Sequence, residues 1–155
     1  MTDFATSHPL LKVCALLNRQ QARYLIIGGQ ACILHGLVRT TEDVDLLVEA
    51  TSENAQRIIA ALSQLEDHAA AELTPADILN NVVVKIADEV EVDVSTSAWK
   101  VSYADAIASA RTVVIEDVAI PFIGLDCLIA SKETHREQDQ WDVARLKALR
   151  ETSQP

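Results

Sequence analysis

Positive charge is scarce in this chain: 155 residues carry 13 Lys and Arg against 23 Asp and Glu, for a formal net charge of −10. That excludes a broad basic surface for gripping duplex DNA, because phosphate binding needs clustered Lys and Arg. It does not exclude a nucleotide held through metal ions, since carboxylates and Mg²⁺ can form such a site together. A disulfide framework is also missing. Cys14, Cys32 and Cys127 are odd in number, far apart and set among apolar neighbours, and are expected to be buried thiols. Long apolar runs are absent too: Tyr24 to Val38 is interrupted by Gly28, Gly29, Gln30, His35 and Gly36, short of the ~20 residues a spanning helix needs. The opening Met1-Thr2-Asp3-Phe4 has an acid where a secretory signal has Lys or Arg. A cytoplasmic protein without membrane contact is the expectation. No linker rich in Pro, Gly or Ser, no repeat and no low-complexity run divides the chain, so one domain over 1–155 is expected, with a frayed tail over about 151–155.

What is present is a core-forming composition, 49% apolar and 23% charged, unlike that of a disordered chain. Residues 9–22 place Leu10, Val13, Cys14 and Leu17 on one face at helical spacing, behind Ser7 as a cap and Pro9 in the first turn. Tyr24-Leu25-Ile26-Ile27 reads as a buried strand entering a tight turn at Gly28-Gly29, and residues 30–36 as a short helix closed by Gly36. Val44 to Val48 is a second strand, and Asn54 to Leu65 a helix behind Ser52. Val82 to Ile86 with Val90 to Val94, and Thr112 to Ile115 with Val118 to Phe122, read as two hairpins. Tyr103 to Ala110, Leu125 to Lys132 and Glu137 to Leu149 read as helices. Together they predict an α+β fold, a mixed β-sheet flanked by helices.

The chemistry-bearing residues lie in two places. Asp43 and Asp45 stand at i and i+2 around a strand, so alternation sends both carboxylates to one face with Cα atoms roughly 6.5–7 Å apart. Two such acids repel unless a cation sits between them; the bland alternative is a solvated strand end. Gly28-Gly29 lies at a strand-to-helix junction, where backbone N–H groups can approach phosphate, although a lone Gly-Gly is also ordinary turn chemistry. Asp93 alternates with Val92 and Val94 on the later strand, and joins the same acid face if the two strands are neighbours. Glu91 competes for that role; Asp93 is preferred because it is further along the strand and the shorter acid holds a metal more rigidly. Three carboxylates around two Mg²⁺ would let one ion activate an attacking oxygen and the other hold a triphosphate.

The run from Tyr24 to Val48, with Gly28, Gly29, Ala31, His35, Gly36, Arg39, Thr41, Asp43 and Asp45, resembles the signature of the DNA polymerase beta-like nucleotidyltransferase superfamily. It is most similar to the small bacterial AbiEii-like branch of abortive-infection toxins. Lys132, Arg136, Asp139 and Asp142 resemble that branch's later helical motif, with Gln138 where a Lys is usual. The resemblance spans about Tyr24 to Leu149. It implies the nucleotidyltransferase (polymerase beta-like) fold and Mg²⁺-dependent transfer of NMP from an NTP, ATP included, by a two-metal site that Mn²⁺ could also fill.

By the same resemblance Asp43, Asp45 and Asp93 would be catalytic and hold the metals, with Asp93 completing the metal site or taking the acceptor's proton. Gly28, Gly29, Gln30, Arg39 and Lys132 would bind the nucleotide. Many members have Ser where Gly29 stands, so one hydroxyl donor is missing. Arg39 is equally readable as a helix-end cation or a salt bridge to Glu42 or Asp43, and Lys132 as a solvated charge. His35 reads as a packed, hydrogen-bonded residue. Arg136, Asp139 and Asp142 read as a salt-bridge network or a site. Trp99 and Trp141 could stack a base, although Trp on a helix is usually core or interface. The acceptor is expected to be an RNA, a protein or a small molecule, with a cognate antitoxin or a second copy as partner. The alternative is a non-catalytic nucleotide- or metal-binding regulatory module of the same fold.

Overall fold

The structure, a computed structural model, describes residues 8–152. Helix α1 (Pro9–Arg19) buries Leu10, Leu11, Val13, Cys14 and Leu17, the stripe its spacing predicts. Its N-cap position is His8; Ser7 lies outside the described residues. Strand β1 (Tyr24–Ile27) is buried at every position, as a strand covered on both faces must be. The chain then enters helix α2 (Gly28–Leu34) directly, without the intervening turn expected at Gly28-Gly29. Gly28 makes this possible by taking φ +67°, a left-handed conformation that glycine adopts without a Cβ penalty. Gly36, at φ +110°, follows the helix end and releases the chain toward β2 (Val44–Val48).

Helix α3 (Ser52–Leu62) starts earlier and ends sooner than expected, because Thr51 rather than Ser52 caps it by accepting from the Asn54 N–H. A 3₁₀ turn (Ala69–Glu72) and helix α4 (Pro75–Leu79), the latter opened by a Thr74/Asp77 capping box, have no counterpart in the hydrophobic pattern. Both predicted hairpins form. Strands β3 (Val83–Ala87) and β4 (Glu91–Ser95) pair antiparallel. A small ribbon, β5 (Ser97–Ala98) and β6 (Val101–Ser102), then leads into α5 (Tyr103–Ala106), capped by Ser102. Strands β7 (Arg111–Ile115) and β8 (Val118–Phe122) turn at Glu116-Asp117, both at positive φ, the backbone of a two-residue hairpin loop. Helices α6 (Leu125–Ser131) and α7 (Glu137–Thr152) close the chain. Residues 151 and 152, expected to fray, are the last of α7; 153–155 lie outside the described residues.

Six strands form one mixed sheet in the order β3-β4-β2-β1-β8-β7. Strands β1 and β2 pair antiparallel, while β2–β4 and β1–β8 are parallel. Helix α1 packs on β8, β2 and α3; α6 packs on α7 and α2. The core gathers around Leu25, Ile26, Leu46, Leu47, Ile58, Leu62 and Ile120, each fully buried. Each such side chain contributes about 1.5–3 kcal/mol by leaving water. Among the described residues no helix is long and apolar enough to cross a membrane.

Candidate active site

The register across the sheet builds the site. Asp45 on β2 is paired with Asp93 on the parallel neighbour β4 and with Ile27 on β1. Asp93 in turn is paired with Lys85 on β3. Strand alternation therefore puts Lys85, Asp93 and Asp45 in one row on one face, beside the end of β1 where Gly28 begins. A Cβ at Gly28 would run into the Asp45 carboxylate. The left-handed glycine thus lets backbone close over an acid, which is a different reason for this Gly than a turn.

The row is electrostatically unbalanced. Burial, then the adjacent Asp93 carboxylate and a proton shared with it, push Asp45 up to about 7; Lys132 pulls the other way without cancelling them. The Oδ1 of Asp93 is buried without a hydrogen-bond partner among the described residues, and the cation beside its Oδ2, Lys85 Nζ at 3.6 Å, comes from a side chain that is 65% exposed. Asp43 lies just before β2, close enough to Glu91 to share a proton and raise that residue's pKa. The competitor acid therefore faces Asp43, while Asp93 faces Asp45. An orphaned buried carboxylate oxygen beside a second, proton-hungry carboxylate is a donor set that suits a hard divalent cation. Among the described residues, no three His, Cys, Asp or Glu side chains already stand in a ligating arrangement.

The nucleotide-side candidates surround this row. The Gln30 amide is buried and donates to the Asp43 carbonyl at 3.5 Å. At Gly29 a Cβ would meet Thr41 Oγ1 at 2.8 Å and the Arg39 guanidinium carbon at 3.3 Å. A hydroxyl therefore does stand beside the Gly-Gly junction, supplied by Thr41, a residue the sequence pattern included without a role.

Arg39 and Lys132 come to one buried acid from opposite ends of the chain. Arg39 Nη1 donates to Asp142 Oδ2 at 2.6 Å and Lys132 Nζ to the same oxygen at 2.9 Å. Asp142 is fully buried. Neither Glu42 nor Asp43 is the partner of Arg39, and Lys132 is buried rather than solvated. Asp139 completes the network, with Lys132 Nζ at 3.4 Å and the Thr134 hydroxyl donating to it at 2.6 Å. Gln138, the departure from Lys, donates to Asp142 Oδ1 at 3.1 Å. Arg136 stays 78% exposed, 4.0 Å from Asp139. This network explains why α7 turns Asp139 and Asp142 inward and Trp141 outward, at 63% exposure.

His35 is packed and bonded as expected: its Nε2 meets the Ile123 carbonyl at 2.7 Å and its ring stands edge-on to Phe122. Burial lowers its pKa. Cys14 and Cys32 are buried, but Cys127 is only half-buried. Trp99 sits in the β5–β6 turn at positive φ and is 50% exposed, not on a helix.

Two residues of the site carry no role in the sequence pattern, Thr41 and Lys85, and the pattern does not foresee the pairing of Glu91 with Asp43. Lys85 was within reach of that pattern. A three-residue connection between β3 and β4 sets Ala87 opposite Glu91 and hence Lys85 opposite Asp93.

No family model and no curated protein sequence matches the chain. Among solved structures it is similar to a provisionally named nucleotidyltransferase from Thermotoga maritima, at 14% identity and a TM-score of 0.51 over 91% of this chain and 88% of the other. The chain has a nucleotidyltransferase fold, a mixed sheet with helices packed against it.

Proposed function

We propose that this protein is a Mg²⁺-dependent nucleotidyltransferase that moves NMP from an NTP to a hydroxyl or phosphate of an acceptor and releases pyrophosphate. The observation that supports this most is the pairing of Asp45 with Asp93, one pushed toward neutrality and the other left with a buried, unpartnered oxygen. Asp43, Asp45 and Asp93 would hold two Mg²⁺, or Mn²⁺. Bound there, the ions would neutralise the triphosphate and lower the pKa of the acceptor hydroxyl.

The remaining roles belong to the chain itself. Gly28 and Gly29 keep the junction open to the triphosphate, and Gln30 and the Thr41 hydroxyl offer donors beside it. Arg39 and Lys132 add positive charge, held in place by Asp142. Asp93 Oδ1 is an acceptor for the proton leaving the attacking hydroxyl or the last metal donor. Within this reading the protein is a small toxin of the AbiEii-like branch in the cytoplasm. Its acceptor would be an RNA, a protein or a small molecule, and a cognate antitoxin or a second copy its partner.

The test is calorimetric titration with each of the four NTPs, with and without Mg²⁺, on the wild type and on the Asp43→Asn/Asp45→Asn double variant. Binding that requires both Mg²⁺ and the aspartates supports the proposal, and label transfer to an acceptor completes it. Mg²⁺-dependent binding without transfer to any acceptor favours the regulatory module. No binding of any NTP overturns both.

A further inference from the structure

Beside the acid row, the loop before β2 and the outer face of α7 enclose a shallow cleft of about 380 Å³, lined by Val38, Arg39, Thr40, Gln138, Trp141 and Arg145. Its chemistry differs from that of the molecule around it. In a chain of net charge −10, two of the six lining residues are arginines and none is an acid. Gln138, Trp141 and Arg145 stand at i, i+3 and i+7 along α7, so one helix face presents an amide, an indole and a guanidinium side by side. The indole is 63% exposed and Val38, opposite it, 86%.

The cleft is held in shape from both sides. Arg145 Nη2 donates to the Val38 carbonyl at 2.8 Å, which fastens the loop to α7. No carboxylate of the described residues lies within ion-pair distance of Arg145. On the inner side Arg39 and Gln138 are both bonded to buried Asp142, the acid that also holds Lys132. Lys132 in turn is near enough to Asp45 to lower its pKa. Asp142 therefore links the inner side of the cleft to the cation that acts on Asp45.

We infer that this cleft binds one unpaired nucleotide of a single-stranded nucleic acid, its base stacked on Trp141 and its phosphate met by Arg145. A flat apolar ring beside the Arg145 guanidinium, which no carboxylate of the described residues opposes, suits a base joined to a phosphate, because every base has a π-face and every linkage a negative charge. Duplex nucleic acid is not accommodated, since its bases are stacked already and the cleft offers too few cations to hold a backbone alone. The inference deepens the proposed transfer reaction by naming the class of acceptor, and it rests on that reading only for the acceptor role; the binding itself does not depend on the acids.

The test uses the full chain carrying Trp99→Phe, so that Trp141 is the only tryptophan. Its fluorescence is titrated with a five-nucleotide single-stranded RNA, the same sequence as DNA, the matching duplex and ATP alone, in metal-free buffer. We expect quenching by the single strands and weak or no quenching by the duplex. Trp141→Ala, followed by anisotropy of a labelled strand, lowers affinity about tenfold and Trp141→Phe restores most of it. Arg145→Gln lowers affinity and reduces its salt dependence. RNA and DNA binding alike leaves the 2′-hydroxyl unread; a preference for one refines the ligand, and both support the inference. The same titration on Asp43→Asn/Asp45→Asn separates the two readings. Strand binding retained there, with transfer absent in the wild type, keeps the cleft and removes the enzyme; Mg²⁺–NTP binding without strand binding does the reverse. Unquenched Trp141, unchanged affinity in Trp141→Ala, or a concentration-dependent dimer that Trp141→Ala abolishes would overturn the inference.

Discussion

The two ends of strand β2 treat buried polar groups in opposite ways. At its C-terminal end Asn54 is 3% exposed, yet its side chain accepts from the Arg23 N–H at 2.7 Å and donates to the Arg23 and Glu49 carbonyls at 2.9 and 3.0 Å. Thr51 caps the helix that follows, and Arg23 pairs with Glu49 at 3.1 Å across the strands. At the N-terminal end Asp45 is forced toward neutrality and Asp93 Oδ1 has no partner. Both ends come from the same two strands and the same core. One end spends its polar groups on holding the sheet together; the other leaves them unsatisfied, which destabilises the fold locally and keeps the site ready for a cation.

That contrast can be broken most severely at the acid end. Asp45→Asn should reduce NMP transfer by roughly 10³-fold or more, measured with labelled NTP. The same change removes a buried charge clash, so the metal-free protein at pH 8 should melt a few degrees higher, about 2–4 °C for each kcal/mol gained. A lower melting temperature would mean that the acid row is not the strained end. Asp142→Ala lies between the two regimes, since its oxygens satisfy Arg39 and Lys132 while the cations serve the site. Removing it leaves half-buried Arg39 without its acid and buried Lys132 with Asp139 alone, and should cost about 3 kcal/mol by urea unfolding.

At the satisfied end the expected effects are on stability alone. Asn54→Ala leaves the Arg23 N–H unpaired and takes one of two donors from each of the Arg23 and Glu49 carbonyls, and should cost about 1–3 kcal/mol, with nucleotide binding unchanged at a temperature where the variant is folded. Loss of nucleotide binding in the folded variant would show that the two ends are coupled. Smaller still is the pH dependence. Because Asp45's folded pKa is raised, the folded state holds a proton that the unfolded chain has released. Its contribution to stability is present below about pH 4 and is lost as pH rises through about 7. His35, with its pKa lowered by burial, acts in the other sense and removes stability as pH falls below about 6.5. Thermal melts from pH 4 to 8 in metal-free buffer should show both slopes, and Asp45→Asn should flatten only the upper one. The smallest effect belongs to Arg23→Gln, below about 1 kcal/mol because the pair is exposed.

Much of this was legible from residue spacing. The alternation of Val92, Asp93 and Val94, and the short polar connections at Asp88-Glu89 and Glu116-Asp117, predict strands and hairpins that the structure contains. Local turn chemistry was read less well at Gly28, because the pressure for glycine there comes from Asp45, a residue of another strand. Arg39 was matched with neighbours in sequence, Glu42 and Asp43, and found its partner in Asp142 on the last helix. Trp141 was placed with core or interface tryptophans and faces outward, since the inward positions of α7 belong to Asp139 and Asp142.

Residue order alone settles the identity and local spacing of the groups: which residues alternate on a strand, which cap a helix, and which acids are available in pairs. Those are consequences of backbone geometry acting over a few residues. Adjacency comes only with packing: β2 beside β4 rather than another strand, Asp45 level with Asp93, and one buried carboxylate shared by cations 93 positions apart. Such contacts depend on how helices and strands pack to bury the whole core, and no local pattern encodes which distant charge is delivered to which site.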